Sequence, residues 1–464
     1  VCDENPCNAG ATGALINKIT TTTGTALNVA STTIGSNNLE FRSISAGTAA
    51  SGPANGIVLN TTGSSGGLKV KGTGGAGTGG TIQNTTGDGI FLTSTFGVSL
   101  SSMIVNSGDE DGIDGTSVNG FSITGSSVTD NGNVANEEGI SFSNVSGAVS
   151  ITNTTVTGNA YNNLRIDNTT GTISSLTISG SSFSNNLAVV GNHGALIEIR
   201  GNSQLTTASI TGTTFSGNEV MGIQVTSNDT AVVSDFTISG CTITNNELGI
   251  DFSKSQTSSM QFKILNNTTF TGQNSHGINL FTAVGAGTTG NFQGRIQGNT
   301  IGNAGVAGSG SAIGNCIRVN INGDANADIV LDGNTVRQCP NGRGIEVIGR
   351  NGTGGLDVTI TNNNVDTNAP SNSLAAILVQ SNCATVCNTV RSDVRGNTVP
   401  AGSTSTDLLP EYIALVETST STLQLVDTAP ASASCTAQLT STNTGSASAN
   451  AGCALIAGPI NTPP

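Results

Sequence analysis

One arrangement of apolar and polar positions recurs along the chain about every 26 to 35 residues. Its form is apolar-x-[Gly/Asn]-[Ser/Thr/Asn/Cys]-[Ser/Thr/Asn]-apolar, and an Asn usually follows three residues later. Copies begin at Ile123, Ile151, Ile178, Ile210, Ile238, Ile296, Leu331, Ile360 and Val394. A repeat of this length predicts a solenoid in which each copy packs against its two neighbours.

Each copy continues, after a variable turn, with a Gly-apolar pair that opens an alternating segment. Examples are GISF at 139, GIQV at 222, GIDF at 249, GINL at 277 and GIEV at 344. These segments are short and rich in Thr, Val and Ile, so their alternation predicts strands and not helices. Strand-only coils that bury their apolar faces by stacking predict an all-β fold, a parallel β-helix of roughly a dozen coils.

Residues at equivalent positions are expected to stack into columns. One inward column is predicted to contain Ile123, Ile151, Ile178, Ile210 and Ile238. The recurrent Asn is predicted to form an amide hydrogen-bond ladder at a turn, because Asn pairs with itself and tolerates left-handed backbone angles. That column contains Asn131, Asn159, Asn186, Asn218, Asn246 and Asn368, with Gln273 and Cys339 as substitutes. The Ser, Thr and Cys positions are predicted to be small inward stacks.

Coils are predicted over residues 25–427, and they are less regular in the first part of that range. Residues 1–24 are predicted to form an N-terminal cap. Residues 428–464 form an Ala/Ser/Thr-rich segment that is predicted to end in a Pro-rich linker. Within that segment, AQLTST (437–442) and CALIAG (453–458) have the character of strands.

Composition narrows the classes of function. Charged residues make up 9% of the chain, with 15 Lys plus Arg against 29 Asp plus Glu and a net charge of −14. This balance argues against nucleic-acid binding, which needs clustered cations. The sequence contains no apolar run long enough to predict a membrane span. The chain is also poor in charge for a disordered protein, and its apolar residues are spread evenly.

Eight of the nine cysteines lie in close pairs along the sequence. Such spacing favours disulfides in an extracellular setting over zinc ligation, although the sequence does not determine connectivity. Pairing by proximity predicts the bonds Cys2–Cys7, Cys316–Cys339, Cys383–Cys387 and Cys435–Cys453. Cys241 occupies the small-residue column and is predicted to be a buried, inert thiol.

The Asn turns and the Gly-Ile strands resemble the right-handed parallel β-helix repeats of the pectate-lyase-like superfold, over about residues 25–427. The Thr/Ser/Asn/Gly-rich style is most similar to bacterial secreted surface proteins, adhesins and autotransporter passengers. The resemblance implies a single-stranded right-handed parallel β-helix at the cell surface. It does not imply one function, because this superfold includes lyases, glycosidases, tailspikes, adhesins and structural rods.

One candidate site lies on the outward side of the Gly-Ile strand. Glu198 and Asp251 are expected two coils apart, at about 10 Å, near the upper limit for the carboxyl pair of an inverting glycosidase. Arg165 is expected on the coil next to Glu198. The alternative is a solvated face whose charges maintain solubility. The residues at the outward position of successive Gly-Ile strands, among them Ser141, Gln224 and Arg318, are mixed in character and favour this alternative. The clustered aspartates and nearby Arg expected of a pectate lyase are missing from this strand.

A second candidate site lies in the acidic turns that precede the same strand. It comprises Asp88, Asp109, Asp111, Glu137 and Glu138. Carboxylates stacked at coil spacing repel one another, and calcium prefers such hard oxygen ligands, so weak calcium binding is one interpretation. A plain acidic surface turn is the other, and the sequence does not decide between them. No cofactor is predicted apart from calcium under that first interpretation.

The sequence therefore favours an extracellular structural or adhesive β-helix protein, as a subunit of a cell-surface fibre or filament. Its predicted partners are further copies bound head to tail or other cell-surface components, and glycans are a further candidate. The alternative function is a polysaccharide lyase, a glycoside hydrolase or a glycan-binding spike that uses the outer face of the Gly-Ile strand. An enzyme is the less favoured class.

Overall fold

Each coil of the chain is built from short parallel strands, as the repeat predicts. The computed structural model describes residues 17–49, 51–185, 192–285, 287–367, 374–382, 388–400, 413–418, 421–427, 432–445, 447–450 and 452–463. The chain divides into an N-terminal unit, Val1–Val220, and a C-terminal unit, Met221–Pro464. Within each unit, strands at equivalent positions of successive coils pair in parallel, which makes each unit a parallel β-helix.

Sheet 1 contains the Gly-apolar strands. In the N-terminal unit its strands are Leu27–Ala30, Ile57–Asn60, Ile90–Thr93, Ile113–Thr116, Ile140–Ser143, Leu164–Asn168 and His193–Ile199. In the C-terminal unit they are Met221–Ser227, Leu248–Lys254, Ile278–Thr282, Ile317–Asn322, Ile345–Arg350, Ile377–Ser381, Ile413–Glu417 and Ala447–Ala449.

Sheet 2 follows sheet 1 along each coil and contains the first apolar residue of the repeat. In the N-terminal unit its strands are Leu39–Phe41, Leu68–Val70, Phe96–Ser101, Asn119–Thr124, Ser146–Thr152, Thr172–Ser179, Gln204–Leu205 and Ala208–Thr211. In the C-terminal unit they are Val232–Ser239, Ser259–Leu265, Asn291–Gln297, Asn326–Asp332, Gly355–Thr361, Thr389–Arg395, Thr422–Asp427 and Ala454–Ala457.

Sheet 3 is made of shorter strands that contain the second apolar residue of the repeat. In the N-terminal unit they are Gly80–Gln83, Met103–Asn106, Ser127–Thr129, Thr155–Thr157, Ser182–Ser184 and Thr214–Ser216, and a separate pair joins Lys18–Thr20 to Ser43–Ser45. In the C-terminal unit they are Thr242–Thr244, Thr269–Thr271, Thr300–Ile301, Thr335–Arg337 and Asn364–Asp366.

The predicted isoleucine column is confirmed within the N-terminal unit. Ile123 pairs with Ile151, Ile151 with Ile178, and Ile178 with Ile210. All four side chains are fully buried. In the C-terminal unit Ile238 begins the equivalent column and pairs with Ile264. Burial of each such side chain contributes about 1.5–3 kcal/mol, so the column forms a continuous apolar core.

The third position of the repeat is restricted to Gly and Asn for a backbone reason. Asn153 and Gly180 occupy this position in successive coils, with φ of 48° and 57°. The left-handed region is open to Gly and is tolerated by Asn, whereas a β-branched side chain is strained there. The residue therefore ends the sheet 2 strand and directs the chain into sheet 3.

The longest amide ladder lies in the fourth position of the repeat, where the sequence predicts only small inward stacks. In the C-terminal unit Asn299 donates its backbone N–H and its Nδ2 to Oδ1 of Asn334, each at 3.0 Å. Asn334 makes the same two bonds to Asn363, at 3.0 and 2.9 Å. This set of residues, the amide ladder, is Asn267, Asn299, Asn334, Asn363, Asn397 and Asn443.

The amide ladder also ties each coil to the coil before it. Nδ2 of Asn334 donates to the carbonyl oxygen of Ile296 at 2.9 Å, and Nδ2 of Asn397 donates to Ile360 at 2.8 Å. Because Asn334 is 1% exposed, its amide group depends on these protein partners in place of water. In the N-terminal unit the same position carries hydroxyl groups, and Thr154 N donates to Ser181 Oγ at 3.1 Å.

The ladder predicted after sheet 3 is confirmed where the structure describes it. Nδ2 of Asn131 donates to Oδ1 of Asn159 at 3.1 Å, and Nδ2 of Asn246 donates to Oε1 of Gln273 at 3.3 Å. The predicted members Asn186 and Asn368 lie outside the described residues. Two separate turns of the repeat are thus held by side-chain amides.

Two of the predicted disulfides are present. Cys316–Cys339 joins the start of a sheet 1 strand to a turn 23 residues later, and Cys435–Cys453 closes a segment of 18 residues. Cys241 is a buried thiol, as predicted, and its Sγ lies 3.5 Å from the carbonyl oxygen of Ser239. The remaining predicted bonds, Cys2–Cys7 and Cys383–Cys387, lie outside the described residues.

The described part of residues 428–464 forms a further coil. CALIAG is confirmed as a strand, Ala454–Ala457, but the strand predicted at AQLTST is wrong because Cys435–Thr442 is an α-helix. Ser434 caps the helix, since its side chain accepts a hydrogen bond from Ala437 N at 3.2 Å. Where the sequence predicts a Pro-rich linker, Ile460 is buried. No helix in the described ranges has the length and hydrophobicity needed to span a bilayer.

Candidate functional site: the turn column and the outer face of sheet 1

A column of polar residues lies two positions before the first inward apolar residue of successive sheet 1 strands in the N-terminal unit. We call this set the turn column: Asn55, Asp88, Asp111, Glu138, Asn162 and His193. Its register follows from sheet 1, where Ile90 pairs with Ile113 and Ile113 pairs with Ile140. The repeat therefore brings one predicted acidic residue from each of three successive coils to the same turn.

The side chains of the turn column bind the backbone of the next coil. The Asp88 carboxyl accepts a hydrogen bond from the backbone N–H of Asp111, and Asp111 Oδ1 accepts one from Glu138 N at 2.5 Å. Asn162 Nδ2 then donates to Glu138 Oε1 at 3.3 Å, and Asn162 Oδ1 accepts from His193 N at 2.9 Å. The Asp88 and Asp111 carboxyl groups therefore each accept from a backbone N–H of the next coil, whereas the Glu138 carboxyl accepts from the Asn162 side chain.

Burial keeps these carboxyl groups protonated to unusually high pH. Removal from water, and then repulsion from Asp114 and Glu110, raises the pKa of Asp88 to about 7. Removal from water and repulsion from Glu138 raise the pKa of Asp111 to about 9. Burial also raises the pKa of Glu138, although Arg165 and Asn162 act in the opposite direction. Closely spaced carboxyl groups titrate as a coupled set, so these shifts belong to the column as a whole.

Two of the five predicted calcium ligands do not belong to this column. Asp109 is exposed and precedes the column position of its coil by two residues. Glu137 Oε2 accepts hydrogen bonds from the backbone N–H groups of Asn133 and Val134, so it closes its own turn. Among the residues that the structure describes, no three His, Cys, Asp or Glu side chains are arranged to hold a metal ion. Weak calcium binding at Asp88, Asp111 and Glu138 stays a prediction.

The outer face of sheet 1 carries a charge cluster in the N-terminal unit. Arg165 Nη2 lies 2.9 Å from Asp167 Oδ2 and 3.4 Å from Glu198 Oε2. Arg200 pairs with the same Asp167 through its Nε and Nη2 atoms. Two carboxylates are thus matched by two guanidinium groups, and Glu198 is part of an ion-pair network.

The expected position of Glu198 in the outward column is wrong. Sheet 1 pairs Arg165 with Leu196, whereas Glu198 pairs with Asp167. Glu198 therefore lies two residues farther along the strand than the column predicted from the sequence. The cause is His193–Ile199, in which Ala195, not Ile197, occupies the first inward position opposite Leu164.

Asp251 lies in the C-terminal unit and has a different environment. Its side chain is 4% exposed and accepts hydrogen bonds from Asn279 Nδ2 at 2.6 Å and from Gln224 Nε2 at 3.3 Å. Burial raises the pKa of this carboxyl group against the effect of those hydrogen bonds. Asp251 is held by two amide neighbours of its own column, which suits a structural role.

The position before the sheet 1 strand also carries polar residues in the C-terminal unit. His276 Nδ1 accepts a hydrogen bond from Asn315 N at 3.0 Å, and Asn315 Oδ1 accepts one from Arg343 N at 2.7 Å. Glu346 Oε2 and Oε1 accept from Asn315 Nδ2 and Arg343 Nη1, at 2.9 and 3.0 Å. Burial and nearby Arg318 lower the pKa of His276. The same turn is therefore held by side-chain caps in both units.

Comparisons with protein-family models, curated proteins and solved structures found no match to this chain. The fold assignment therefore rests on strand order and register within each unit. A β-helix supports many activities, so the fold alone does not determine the function of this protein. The geometry of the turn column and of the sheet faces is the remaining basis for a proposal.

Neutralising the turn column is expected to stabilise the N-terminal unit at alkaline pH. In the unfolded chain the pKa of Asp88 and Asp111 is 3.8, so below that pH both carboxyl groups are protonated in the folded and in the unfolded state. Above it the unfolded chain releases them first, so the free energy of unfolding falls until pH passes the folded pKa values of about 7 and about 9. We therefore expect Asp111→Asn to raise the melting temperature at pH 8 and to leave it unchanged at pH 4.

Scanning calorimetry at the two pH values measures this effect, and Asp109→Asn is the matched control because Asp109 is exposed. A stabilisation by Asp111→Asn that is equal at pH 4 and pH 8 would contradict the protonation argument.

Calcium bound at Asp88, Asp111 and Glu138 is expected to relieve the same repulsion at pH 8 and to raise the melting temperature of the wild type. The measurement compares this temperature in calcium and in chelator. Equal temperatures would refute the calcium prediction.

Proposed function

We propose that this protein is an extracellular structural or adhesive β-helix, and that it serves as a subunit of a cell-surface fibre. The observation that carries the proposal is the amide ladder, whose hydrogen bonds run from coil to coil through the C-terminal unit. Bonds of this kind add to the backbone bonds between coils. A protein that must resist separation of its coils benefits from such a second set of bonds.

The disulfides support an extracellular location. Cys316–Cys339 and Cys435–Cys453 are the kind of bond that persists in an oxidising compartment and is reduced in the cytosol. We also propose that the β-helix is right-handed and belongs to the pectate-lyase-like superfold. Within that superfold, its Thr/Ser/Asn/Gly-rich composition is most like that of bacterial adhesins. The repeat phrase and its Gly/Asn turn position are the support for that assignment.

The charges of sheet 1 favour a structural role over catalysis. An acid–base pair needs carboxyl groups that can reach a substrate. Glu198 is held by Arg165, Asp251 is almost fully buried, and Glu346 is held by Arg343 and Arg318. These carboxyl groups are engaged in contacts between neighbouring coils or within one coil. Their arrangement supports a face that stabilises the stack.

The final coil supports association between copies. Among the described residues, sheets 1 and 2 of the C-terminal unit end with Ala447–Ala449 and Ala454–Ala457, and neither strand contains a charged residue. Edge strands present unpaired N–H and C=O groups, and charges are a common means of preventing such edges from pairing. A head-to-tail contact at this edge propagates into a filament because it is heterologous.

A polysaccharide-processing or glycan-binding function is the second candidate, and the turn column is the observation that favours it. Acid catalysts need carboxyl groups whose pKa is raised into the neutral range, and burial gives Asp88 and Asp111 this property. The two candidates differ in what they require of Asp111. Catalysis requires contact between this group and a substrate, whereas the structural role requires only its hydrogen bond to Glu138 N.

Incubation with neutral and acidic polysaccharides, combined with electron microscopy of the purified protein, separates these functions. We expect filaments or clustered particles and no release of reducing ends. Cleavage that is lost in Asp111→Asn or in Glu198→Gln, but retained in the exposed control Glu219→Gln, would establish the enzyme in place of the structural protein. Isolated particles at every concentration, with no binding to cells or glycans, would contradict the proposal as well.

A further inference from the structure

Residues 458–463 lie across the outer face of sheet 2 in the C-terminal unit. The backbone N–H of Asn461 donates to Asp357 Oδ2 at 3.0 Å, although 104 residues separate them in sequence. Ile460 is 7% exposed and Pro463 is also buried, whereas Pro459, Asn461 and Thr462 are exposed. The segment thus rests on the sheet through two apolar side chains and one backbone hydrogen bond.

The path of this segment is nearly straight. In sheet 2, Asp357 pairs with Arg391, Arg391 with Gln424, and Gln424 with Ala454, so three coil spacings of about 14 Å separate the strand Ala454–Ala457 from Asp357. The segment leaves the strand at Ala457, three residues along from the register of Asp357, and the four residues from there to Asn461 span at most about 13–14 Å when extended. The segment therefore crosses the strands of sheet 2 in an extended conformation.

The face beneath the segment has the character of a binding groove. Asp357 is 2% exposed, and Arg391 donates from Nε to its Oδ1 at 2.6 Å and from Nη2 to its Oδ2. The carboxylate is thus fixed, and its Oδ2 is shared between Arg391 and the backbone N–H of Asn461. Val330 and Val426 point away from the core of the coil, yet they are 4% and 7% exposed. This part of sheet 2 combines these two apolar side chains with the ion pairs Asp357–Arg391 and Asp393–Arg395, and Asp357 is the acceptor that the segment uses.

The segment is connected to the coil through a hinge. Gly458 has a φ of 88°, and no heavy atom lies within 4 Å of the position that a Cβ would occupy. Glycine adopts this positive φ without the strain that a side chain meets there, and the space around its Cα is open. The small contact and the open hinge allow the segment to leave its groove as a unit.

We propose that sheet 2 of the C-terminal unit is a docking groove for the segment 458–463, and that it accepts this segment from a second copy of the chain. A groove that binds the segment of its own chain offers identical contacts to the segment of another, as in domain swapping. The tethered segment has an effective concentration in the millimolar range, so exchange becomes substantial where copies are crowded. The inference rests on the proposed fibre function for its setting, and it makes the segment that follows the edge strand Ala454–Ala457 the contact that joins one copy to the next.

Complementation between two full-length variants tests the inference. Ile460→Asp removes the docking side chain and leaves an empty groove, whereas Asp357→Ala removes the acceptor and gives an intact segment whose own groove binds it more weakly. Sedimentation velocity is expected to show monomers for each variant alone and a species of twice the mass for their mixture. Ile313→Asp, a matched change at a side chain that is 61% exposed, is expected to form no such species with Asp357→Ala.

A mixture that contains only monomers, while circular dichroism shows both variants folded, would overturn the proposal. A second measurement covers the case in which Asp357→Ala does not fold. A labelled peptide of sequence AGPINTPP is expected to bind Ile460→Asp at least tenfold more tightly than the wild type, whose groove is occupied, and equal binding would overturn the proposal. Complementation without fibre formation would refute the fibre function and support the groove. Fibres that still form from Ile460→Asp would refute this contact as the one that joins the copies.

Discussion

Replacing Asn334 with Ala is expected to lower the free energy of unfolding of the C-terminal unit by about 3–5 kcal/mol. The substitution removes the acceptor of two hydrogen bonds from Asn299 and the donor of bonds to Asn363 and Ile296. These partners lie inside the coil, where each group left without a partner costs about 1–3 kcal/mol. The loss therefore exceeds that of an ordinary surface substitution.

Denaturant unfolding followed by circular dichroism measures this loss, and two further variants calibrate it. Asn303→Ala is the surface control, because Asn303 is exposed, and it is expected to change stability by less than about 0.5 kcal/mol. Asn334→Ser restores the hydroxyl that this position carries in the N-terminal unit, so it is expected to fall between the two. An Asn334→Ala variant as stable as Asn303→Ala would show that the ladder adds nothing to the backbone bonds.

Removing the Cys316–Cys339 bond through the double substitution to Ala is expected to cost about 3 kcal/mol. The bond closes a segment of 23 residues, and its absence gives the unfolded chain the freedom that this closure removes. Both sulfur atoms are fully buried, so the double variant also loses some packing. The unfolding midpoint of the C-terminal unit is expected to fall accordingly.

Cys241→Ala is the matched control for that packing term, because Cys241 is a buried thiol in the same unit. The difference between the double variant and twice the effect of this control reports the contribution of the cross-link. If the double variant loses no more stability than twice the loss of Cys241→Ala, the disulfide does not restrict the unfolded chain.

The fold was predictable because its signals are local and repeated. Alternation in segments such as Ile140–Ser143 predicts strands, and the Gly/Asn position at Asn153 and Gly180 marks a backbone conformation that few residues accept. Ten or so imperfect copies of one phrase reinforce each other, so an error in one coil does not change the prediction. The parallel stacking follows from the need to bury the apolar column.

The errors arose where one coil departs from the average. His193–Ile199 shifts Glu198 by two residues relative to the predicted column, and only the pairing with Leu164–Asn168 reveals the shift. The helix Cys435–Thr442 was missed because its eight residues carry a weak apolar pattern, and the cap at Ser434 is the one local signal for it. Neither feature follows from the consensus of the repeat.

The sequence predicted only part of the chemistry of the candidate site. The acidic residues before the Gly-Ile strands were found, but their hydrogen bonds to the next coil depend on register. Lys254 was missed altogether: it points into the coil, is 1% exposed and donates to the carbonyl oxygen of Thr289, and burial lowers its pKa to about 8. Its inward position in the alternation of Leu248–Lys254 was the available signal.

The amide ladder has an electrical polarity as well as a structural role. From Asn267 to Asn397 each side chain donates from its nitrogen to the oxygen of the next residue in the series, so the amide dipoles point the same way. Aligned dipoles in a dry interior polarise one another, and each bond strengthens its neighbours. An interruption at the centre of the series therefore weakens bonds on both sides, whereas one at Asn443 weakens bonds on one side alone. The coils of this unit are coupled electrostatically, which makes them less independent than the units of an ordinary repeat array.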